Sequence, residues 1–312
     1  MDKKNKIWQR FWQFLVLAVV AFAMARIYFN ATDDFRLTNI TYELPYHPEW
    51  DIIVTPQDTL HLSNLLKQKF SYVAKGSQSY VFESADQQYV LKFFKFKHLK
   101  PSWLVTYLPP ISPFAYYQQK ELARKQRKLY EVFSGYKLAY ELLRDESGLF
   151  HIHLNPKRAD PAKMVTVIDK MGLEREIDLS QVVYVIQEKG RTLRSIIAQS
   201  LDKKDIEGTR KRIAQIFDLY FTEYNRGVYD HDHGVMRNMG FAGDKPLHLD
   251  LGKLMREERM KEPHVRHEDL KKVVASIKEW LQVHYPQYQE PLFTYMDQRL
   301  AEFNNDKQIS EK

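Results

Sequence analysis

Between Gly227 and Gly252 the sequence reads GVYDHDHGVMRNMGFAGDKPLHLDLG, and no other stretch concentrates so much reactive chemistry. Asp230, Asp232, Asn238 and Asp250 supply a carboxylate able to act as a general base and oxygen ligands for a hard metal ion. The apolar residues between them predict short strands, so a strand–loop–strand hairpin would gather these groups at one end. A competing reading takes Asp230, His231, Asp232 and His233 as a metal-hydrolase cluster. Adjacent loop residues seldom all reach one ion, and no distant His-rich partner motif accompanies them.

A second group lies upstream. Phe70 to Phe96 alternates as two or three strands, FSYVAKG, SYVFES and QYVLKFFKF, with Ser84 to Gln87 as a turn. Lys92 sits inside the third of these. It belongs either on the solvent face of an edge strand or in a cleft, holding an anion as a point charge. The preceding turn, with Lys75, Gly76 and Ser77, has backbone amides suited to phosphate and favours the cleft. Ala115 to Leu143 is a long helical pattern with Leu122, Leu129, Phe133, Tyr136 and Tyr140 on its apolar stripe. Glu121 borders that stripe and is a better partner for Lys92 than Glu131, which points nearly the opposite way; Glu141 stays open.

The remaining elements must position these groups. Strands are expected over Gly148–Leu154, Lys163–Asp169 and Gln181–Ile186, with His151 and His153 on one side of the first. The chain then passes through Gln187, Glu188 and Lys189 into helices over Thr192–Gln199 and Asp205–Arg226. A polar stretch from Lys253 to Arg266 precedes a helix from about His267, and a last one covers about Phe293–Phe303.

At the N-terminus, Lys3, Lys4, Lys6 and Arg10 precede a run in which only Gln13 is polar from Phe11 to Ala25. Counted over residues 7–29 it reaches the roughly 20 residues of a membrane span, with Trp8, Trp12 and Tyr28 at the interfaces. A cleaved signal peptide, suggested by Ala23-Met24-Ala25, and a buried helix compete with that reading. The charge bias predicts a cytoplasmic N-terminus and a domain on the far side. Residues 30–67, with prolines 45, 48 and 56, are expected to form a linker with short strands. The aromatic and basic segment Lys97–Pro113 is a loop packed on the domain or a contact for a membrane or partner.

Composition narrows the classes. At 312 residues, 44% hydrophobic and 28% charged, the chain is an ordinary folded protein with room for two lobes. A net charge of +7 suits a phosphate-bearing partner or a plain solvated surface. With no cysteine there are no disulfides, thiolate metal sites or cysteine nucleophiles.

Taken in order, a turn over phosphates, a strand lysine, a helix glutamate, a hinge and then Asp, Asn and Asp, the sequence resembles the protein-kinase-like superfamily over residues 68–285. Ala74 to Val81 is similar to its glycine-rich loop, Val90-Leu91-Lys92 to its lysine strand, Gly227 to Asp232 to its catalytic loop and Leu249 to Gly252 to its Asp-Phe-Gly motif. The resemblance implies an α+β, two-lobed fold with a β-rich N-lobe (68–190), a helical C-lobe (191–303) and a polar tail (304–312), behind the membrane helix of residues 1–29. It implies ATP and Mg as cofactors, Asp232 accepting the acceptor's hydroxyl proton, Asn238 and Asp250 holding magnesium, and Lys92 on the phosphates with Glu121 bracing it. Lys75, Gly76 and Ser77 would cover the phosphates, and the backbone of Gln187, Glu188 and Lys189 would meet adenine.

The Asp232–Asn238 interval is six positions, one more than the family pattern; one loop glycine remains and no Ala-Pro-Glu follows. Only 14 residues separate Gly252 from the predicted His267 helix, so the chain resembles the compact kinases of small molecules, lipids or sugars. A pseudokinase, a nucleotide-binding or scaffold module without turnover, is the alternative. The expected partners are a nucleotide, a membrane through residues 7–29 and an unidentified acceptor, with no nucleic acid; the sequence carries no evidence for a homo-oligomer.

Overall fold

The computed structural model describes residues 3–99, 114–156 and 164–305, with Val105, Tyr107, Pro109, Ile111 and Ser112 between the first two stretches. Most of the Lys97–Pro113 segment, and the tail from residue 306, lie outside the described residues.

The chain is mixed α/β, with a β-rich part, a helical part and one N-terminal apolar helix. The β-rich part is a seven-stranded sheet. Its strands are β1 (Lys69–Lys75), β2 (Ser79–Ser84), β3 (Tyr89–Phe94), β4 (Leu149–His153), β5 (Met164–Ile168), β6 (Glu174–Asp178) and β7 (Tyr184–Glu188), in the order β4-β7-β3-β2-β1-β5-β6. All neighbours are antiparallel except β1 and β5. The near-continuous apolar run of β3 marks a strand covered on both faces. Phe94 faces a core with Trp50, Phe133 and Tyr136, while Phe93 faces one with Phe35, Leu62 and Phe82.

The helix Phe114–Leu142 covers the first face. Phe35, Ile40, Leu62, Leu65 and Leu66 cover the second, while Trp50 packs on the first, and this departs from the linker expected over residues 30–67. Pro48 and Pro56 each open a helical turn, Pro48–Trp50 and Pro56–Leu65, because a first helical position needs no amide donor. Thr55 caps the second by accepting from the Asp58 amide at 3.0 Å, and Phe35, Ile40, Leu62 and Leu65 are fully buried. His151 and His153 are buried against the Tyr184 ring, with ring centroids 5.7 and 5.3 Å away, as core residues.

The helical part packs Leu193–Asp202, Ile206–Asn225, Pro263–His284 and Gln289–Asn305 around one core that includes Ile213, Phe217, Tyr220, Val273, Ile277 and Met296. The third of these starts earlier than expected, again on a proline, Pro263. Between the parts lie β8 (Arg191–Thr192), β9 (Val228–Asp230), β10 (Met239–Ala242), β11 (Lys245–His248) and β12 (Leu254–Arg256). β10 pairs with β8 and β11, and β9 with β12.

The two parts meet where the helix Phe114–Leu142 crosses the loop after β11. A Cβ built on Gly135 would lie 2.4 Å from the Leu251 carbonyl oxygen. Helix interiors ordinarily gain from Gly→Ala, but here a methyl group would collide with backbone. Gly135→Ala is therefore expected to destabilise the fold by about 1–3 kcal/mol, read as a lower denaturation midpoint. A rise in midpoint would show that the contact is loose.

The N-terminal helix runs Lys3–Ala31. Its stretch Trp8–Ala31 has 24 residues, including an 18-residue window of mean hydropathy 1.9 with no residue buried, so it is long and apolar enough to cross a membrane.

Candidate functional site

β3 carries Lys92 toward the segment that follows β11. Its Nζ donates to the Leu249 carbonyl at 2.8 Å, across the junction between the β-rich and helical parts. Burial pulls the Lys92 ammonium down to about 8, although the Asp250 carboxylate draws it upward. Burial also raises the Tyr136 phenol well above its ordinary value, with the Asp250 charge adding to it. Lys92, Asp250 and Tyr136 thus share one electrostatic neighbourhood.

Asp250 is tied directly to Asn238. The Asn238 carbonyl accepts from the Leu249 amide at 2.6 Å and from the Asp250 amide at 3.4 Å. Asn238 closes a single helical turn, Val235–Asn238, and its side-chain amide donates to the Asp232 carbonyl at 3.3 Å. The loop closes through two tight turns, Gly234 N to Asp232 O at 2.7 Å and Val235 N to His233 O at 2.8 Å. A Cβ on Gly234 would lie 3.2 Å from Asp232 Oδ1 and 3.0 Å from Asn238 Nδ2, so these two side chains flank one glycine. Asp232 remains exposed.

The cluster Asp230 to His233 does not converge on an ion. Asp230 turns inward, His233 Nε2 meets Asp269 Oδ1 at 2.7 Å, and His231 is exposed. Among the described residues no three His, Asp or Glu side chains gather as a metal site. Asp250 and Asn238 nevertheless suit magnesium, a hard cation usually held by one or two side-chain oxygens together with substrate phosphates. Asp250 has one internal contact of its carboxylate here, from the Gly252 amide at 3.4 Å.

Behind the loop is a buried charge trio that the sequence reading missed. His248, fully buried on β11, meets Glu223 Oε1 at 2.8 Å through Nδ1 and Asp230 Oδ2 at 3.5 Å through Nε2. Burial opposes the imidazolium, but Glu223 and Asp230 outweigh it and push His248 up to about 10. Asp230 Oδ1 accepts from the Asp232 amide at 2.8 Å, and the His248 carbonyl accepts from Gln187 Nε2 at 3.0 Å. One residue therefore connects these elements: the His248 ring meets Asp230 before the Asp232 loop, and its backbone carbonyl meets Gln187 on β7. Removing it leaves two carboxylates buried without their counter-charge. His248→Gln is expected to cost about 3–5 kcal/mol, measured by urea unfolding. A cost below about 1 kcal/mol would mean that one carboxylate is neutral.

Not every residue singled out from the sequence comes to this junction. Glu121 pairs with Arg124 at 2.9 Å on its own helix. It stands fourteen residues before Gly135, about 21 Å along the helix axis, and so does not brace Lys92. Glu141 pairs with Lys137, also on that helix. The apolar stripe is buried only from Leu129 onward, so the turn that meets the site carries Gly135 and Tyr136 instead.

The Gln187–Lys189 stretch is also engaged. The Glu188 amide donates to the Gly148 carbonyl and the Lys189 amide to the Gln88 carbonyl, both at 2.8 Å, so neither is presented to a ligand as a donor. Gln187 is buried, and its side chain donates to Ser147 O at 2.6 Å.

Lys75, Gly76 and Ser77 stand exposed in the β1–β2 turn. The Gly76 amide is spent on Ser79 O at 2.9 Å, and the Gly76 carbonyl accepts from Lys95 Nζ. Burial together with the neighbouring Lys75 charge lowers the Lys95 ammonium to about 8. Next to this turn, Gln78 reaches the site: a Cβ on Gly252 would lie 2.6 Å from Gln78 Oε1. The turn is thus closed against the residues that follow Asp250.

No protein-family model matches the chain, and no curated protein matches its sequence. Among solved structures, a co-crystal of WbdD with the kinase inhibitor LY294002 aligns at 15% identity and a TM-score of 0.34, over 76% of this chain and 45% of that one. A structure of the bifunctional kinase-methyltransferase WbdD aligns at 16% identity and a TM-score of 0.34, over 74% and 43%. The chain spans less than half the length of these solved chains, and a TM-score of 0.34 is too low to define a shared fold.

Proposed function

We propose that this chain is a membrane-anchored, two-lobed kinase-like protein that transfers a phosphoryl group from Mg-ATP to a hydroxyl of a small molecule, lipid, glycan or protein. The observation that carries the reading is the junction itself: Lys92 Nζ lies 2.8 Å from the carbonyl of Leu249, the residue before Asp250, and Asn238 holds that same segment by its backbone. A strand lysine, an Asn and an Asp brought together across two structural parts form the constellation that phosphoryl transfer requires. In this reading residues 68–190 are the N-lobe and 191–303 the C-lobe, with the Trp8–Ala31 helix as a span.

The chemistry is mostly positioning and charge neutralisation. Magnesium, which Asn238 and Asp250 would hold, would supply neutralisation of phosphate charge. Lys92 holds the phosphates, Asn238 and Asp250 present oxygens to the metal, and Asp232 orients the acceptor hydroxyl and takes its proton.

The test is thermal denaturation of the detergent-solubilised full chain with ATP, with and without magnesium. At about a hundredfold excess over Kd, binding adds roughly 2.7 kcal/mol to stability. No shift in wild type overturns the reading. A second reading, nucleotide binding without turnover, is favoured by the closed Gln78–Gly252 contact and by the missing helix carboxylate at Lys92. A magnesium-dependent shift without ATP consumption across sugar, lipid and protein acceptors supports it. A reporter fused at the C-terminus decides which side of the membrane the lobes occupy: charge bias places them opposite the cytoplasm.

A further inference from the structure

The N-terminal helix is not joined to the sheet by a free linker. Its last turn runs into Asp33 and Asp34, both in the left-handed backbone region at φ 52° and 63°. The Asp34 carbonyl accepts from Tyr80 OH and from Asn39 Nδ2, each at 2.7 Å, and Phe35 follows directly into the core. The direction in which the helix leaves the sheet is fixed by these contacts.

The turn between β5 and β6 lies at that exit. Lys170 Nζ meets Asp33 Oδ2 at 3.0 Å, and Arg175 donates to Tyr28 OH, in the last turns of the helix, at 3.2 Å. The turn has a set shape: the buried Asp169 accepts from the Met171 amide at 2.9 Å and the Leu173 amide at 3.0 Å, and pairs with Arg175 at 2.8 Å. On this rigid tip Met171 and Leu173 are each 51% exposed. Arg36, stacked over the Phe29 ring at 4.3 Å and paired with Asp34 at 2.6 Å, and Lys97, also paired with Asp34 at 2.9 Å, complete a collar around the end of the helix in which four cations outnumber the three carboxylates of Asp33, Asp34 and Asp169.

Apolar side chains on a hairpin tip, ringed by Lys and Arg and held level with the end of an apolar helix, match a bilayer interface. Apolar groups there enter the acyl boundary while cations meet lipid phosphates. We infer that the β5–β6 hairpin tip is a second membrane contact, in which Met171 and Leu173 insert into the leaflet at the C-terminal end of the helix and Lys170, Arg175, Arg36 and Lys97 face anionic headgroups. The inference rests on the reading of Trp8–Ala31 as a membrane span. It fixes the β-rich lobe against the lipid surface.

The chain contains no cysteine, so single labels can be placed without removing any residue's thiol. Met171→Cys, Leu173→Cys, Val19→Cys and Val283→Cys, each in the full chain carrying an environment-sensitive fluorophore, are reconstituted in phosphatidylcholine vesicles with and without phosphatidylglycerol. Val283, 72% exposed in the helical part, is the aqueous reference. The expected result is blue-shifted emission at 171 and 173, quenched several-fold more by interfacial lipid-borne quenchers than at 283, with the deepest quenching at 19. If position 19 is deep while 171 and 173 behave like 283, the hairpin contact is wrong and the span survives. If position 19 is aqueous, or lost by cleavage, the span reading fails and takes this inference with it.

Discussion

On the proposed reading, Asp250→Asn is expected to abolish the magnesium-dependent part of the nucleotide shift and to lower phosphoryl transfer by about 10²–10³-fold or more. The replacement keeps the shape of the side chain and its contact from the Gly252 amide, so a loss reports charge and not folding. What the carboxylate supplies is a hard anionic oxygen next to the Lys92 ammonium, at the place where phosphate charge must be balanced. An amide oxygen ligates magnesium weakly, and the mutant is expected to retain ATP binding through Lys92 while losing the dependence on the metal. Measured by titration calorimetry with and without magnesium, the wild type should show a clear difference between the two conditions and the mutant little. Equal magnesium dependence in both would remove Asp250 from the metal and, with it, the central assignment of the site.

That Asp250 can be singled out at all shows which features were legible in the sequence. The β1–β3 hairpins were, because aromatic and β-branched residues alternate there without interruption. The strand β6, EREID, was not, since a charged edge strand carries no apolar pattern. Residues 32–66 were misread because proline marks the start of a helix as readily as a break, and only the caps distinguish the two. Asp232, Asn238 and Asp250 stand out in the sequence by their order and spacing, and the structure joins the Asn238 carbonyl to the Leu249 and Asp250 amides.

Glu121 was chosen on angle alone. Helical periodicity gives the face of a 29-residue helix but not which of its turns meets the loop. A signal for the true turn was present: Gly135 interrupts the apolar stripe, which is where a second backbone comes close. His248 and Glu223 had no such marker. A histidine alternating with leucines in LHLDLG and a glutamate on the apolar side of its helix look ordinary until the two are placed together.

Lys92→Met separates function from folding most sharply, because the two are expected to move in opposite directions. Phosphoryl transfer falls by about 10²–10³-fold, since the cation that meets the phosphates is gone. Stability without nucleotide rises. An ammonium whose folded value is about 8, below its ordinary 10.5, is charged at pH 7 at a cost of roughly 3 kcal/mol. The bond to the Leu249 carbonyl, worth about 1 kcal/mol, is lost in the mutant, leaving a net gain of about 1–2 kcal/mol. The sign with pH follows from proton counting. Between about 8 and 10.5 the unfolded chain holds more protons at this residue than the folded one, so the wild type recovers stability as pH rises through that window. His248 acts in the other direction, since its contribution is present below 6.5 and fades as pH rises through about 10. That effect is common to both proteins and cancels in their difference. The stability gap between Lys92→Met and wild type, taken from urea unfolding at successive pH values, should therefore be largest near pH 7 and close toward pH 10. A mutant less stable than wild type at pH 7, with a gap indifferent to pH, would place Lys92 in an ordinary solvated position and leave the phosphates without their lysine.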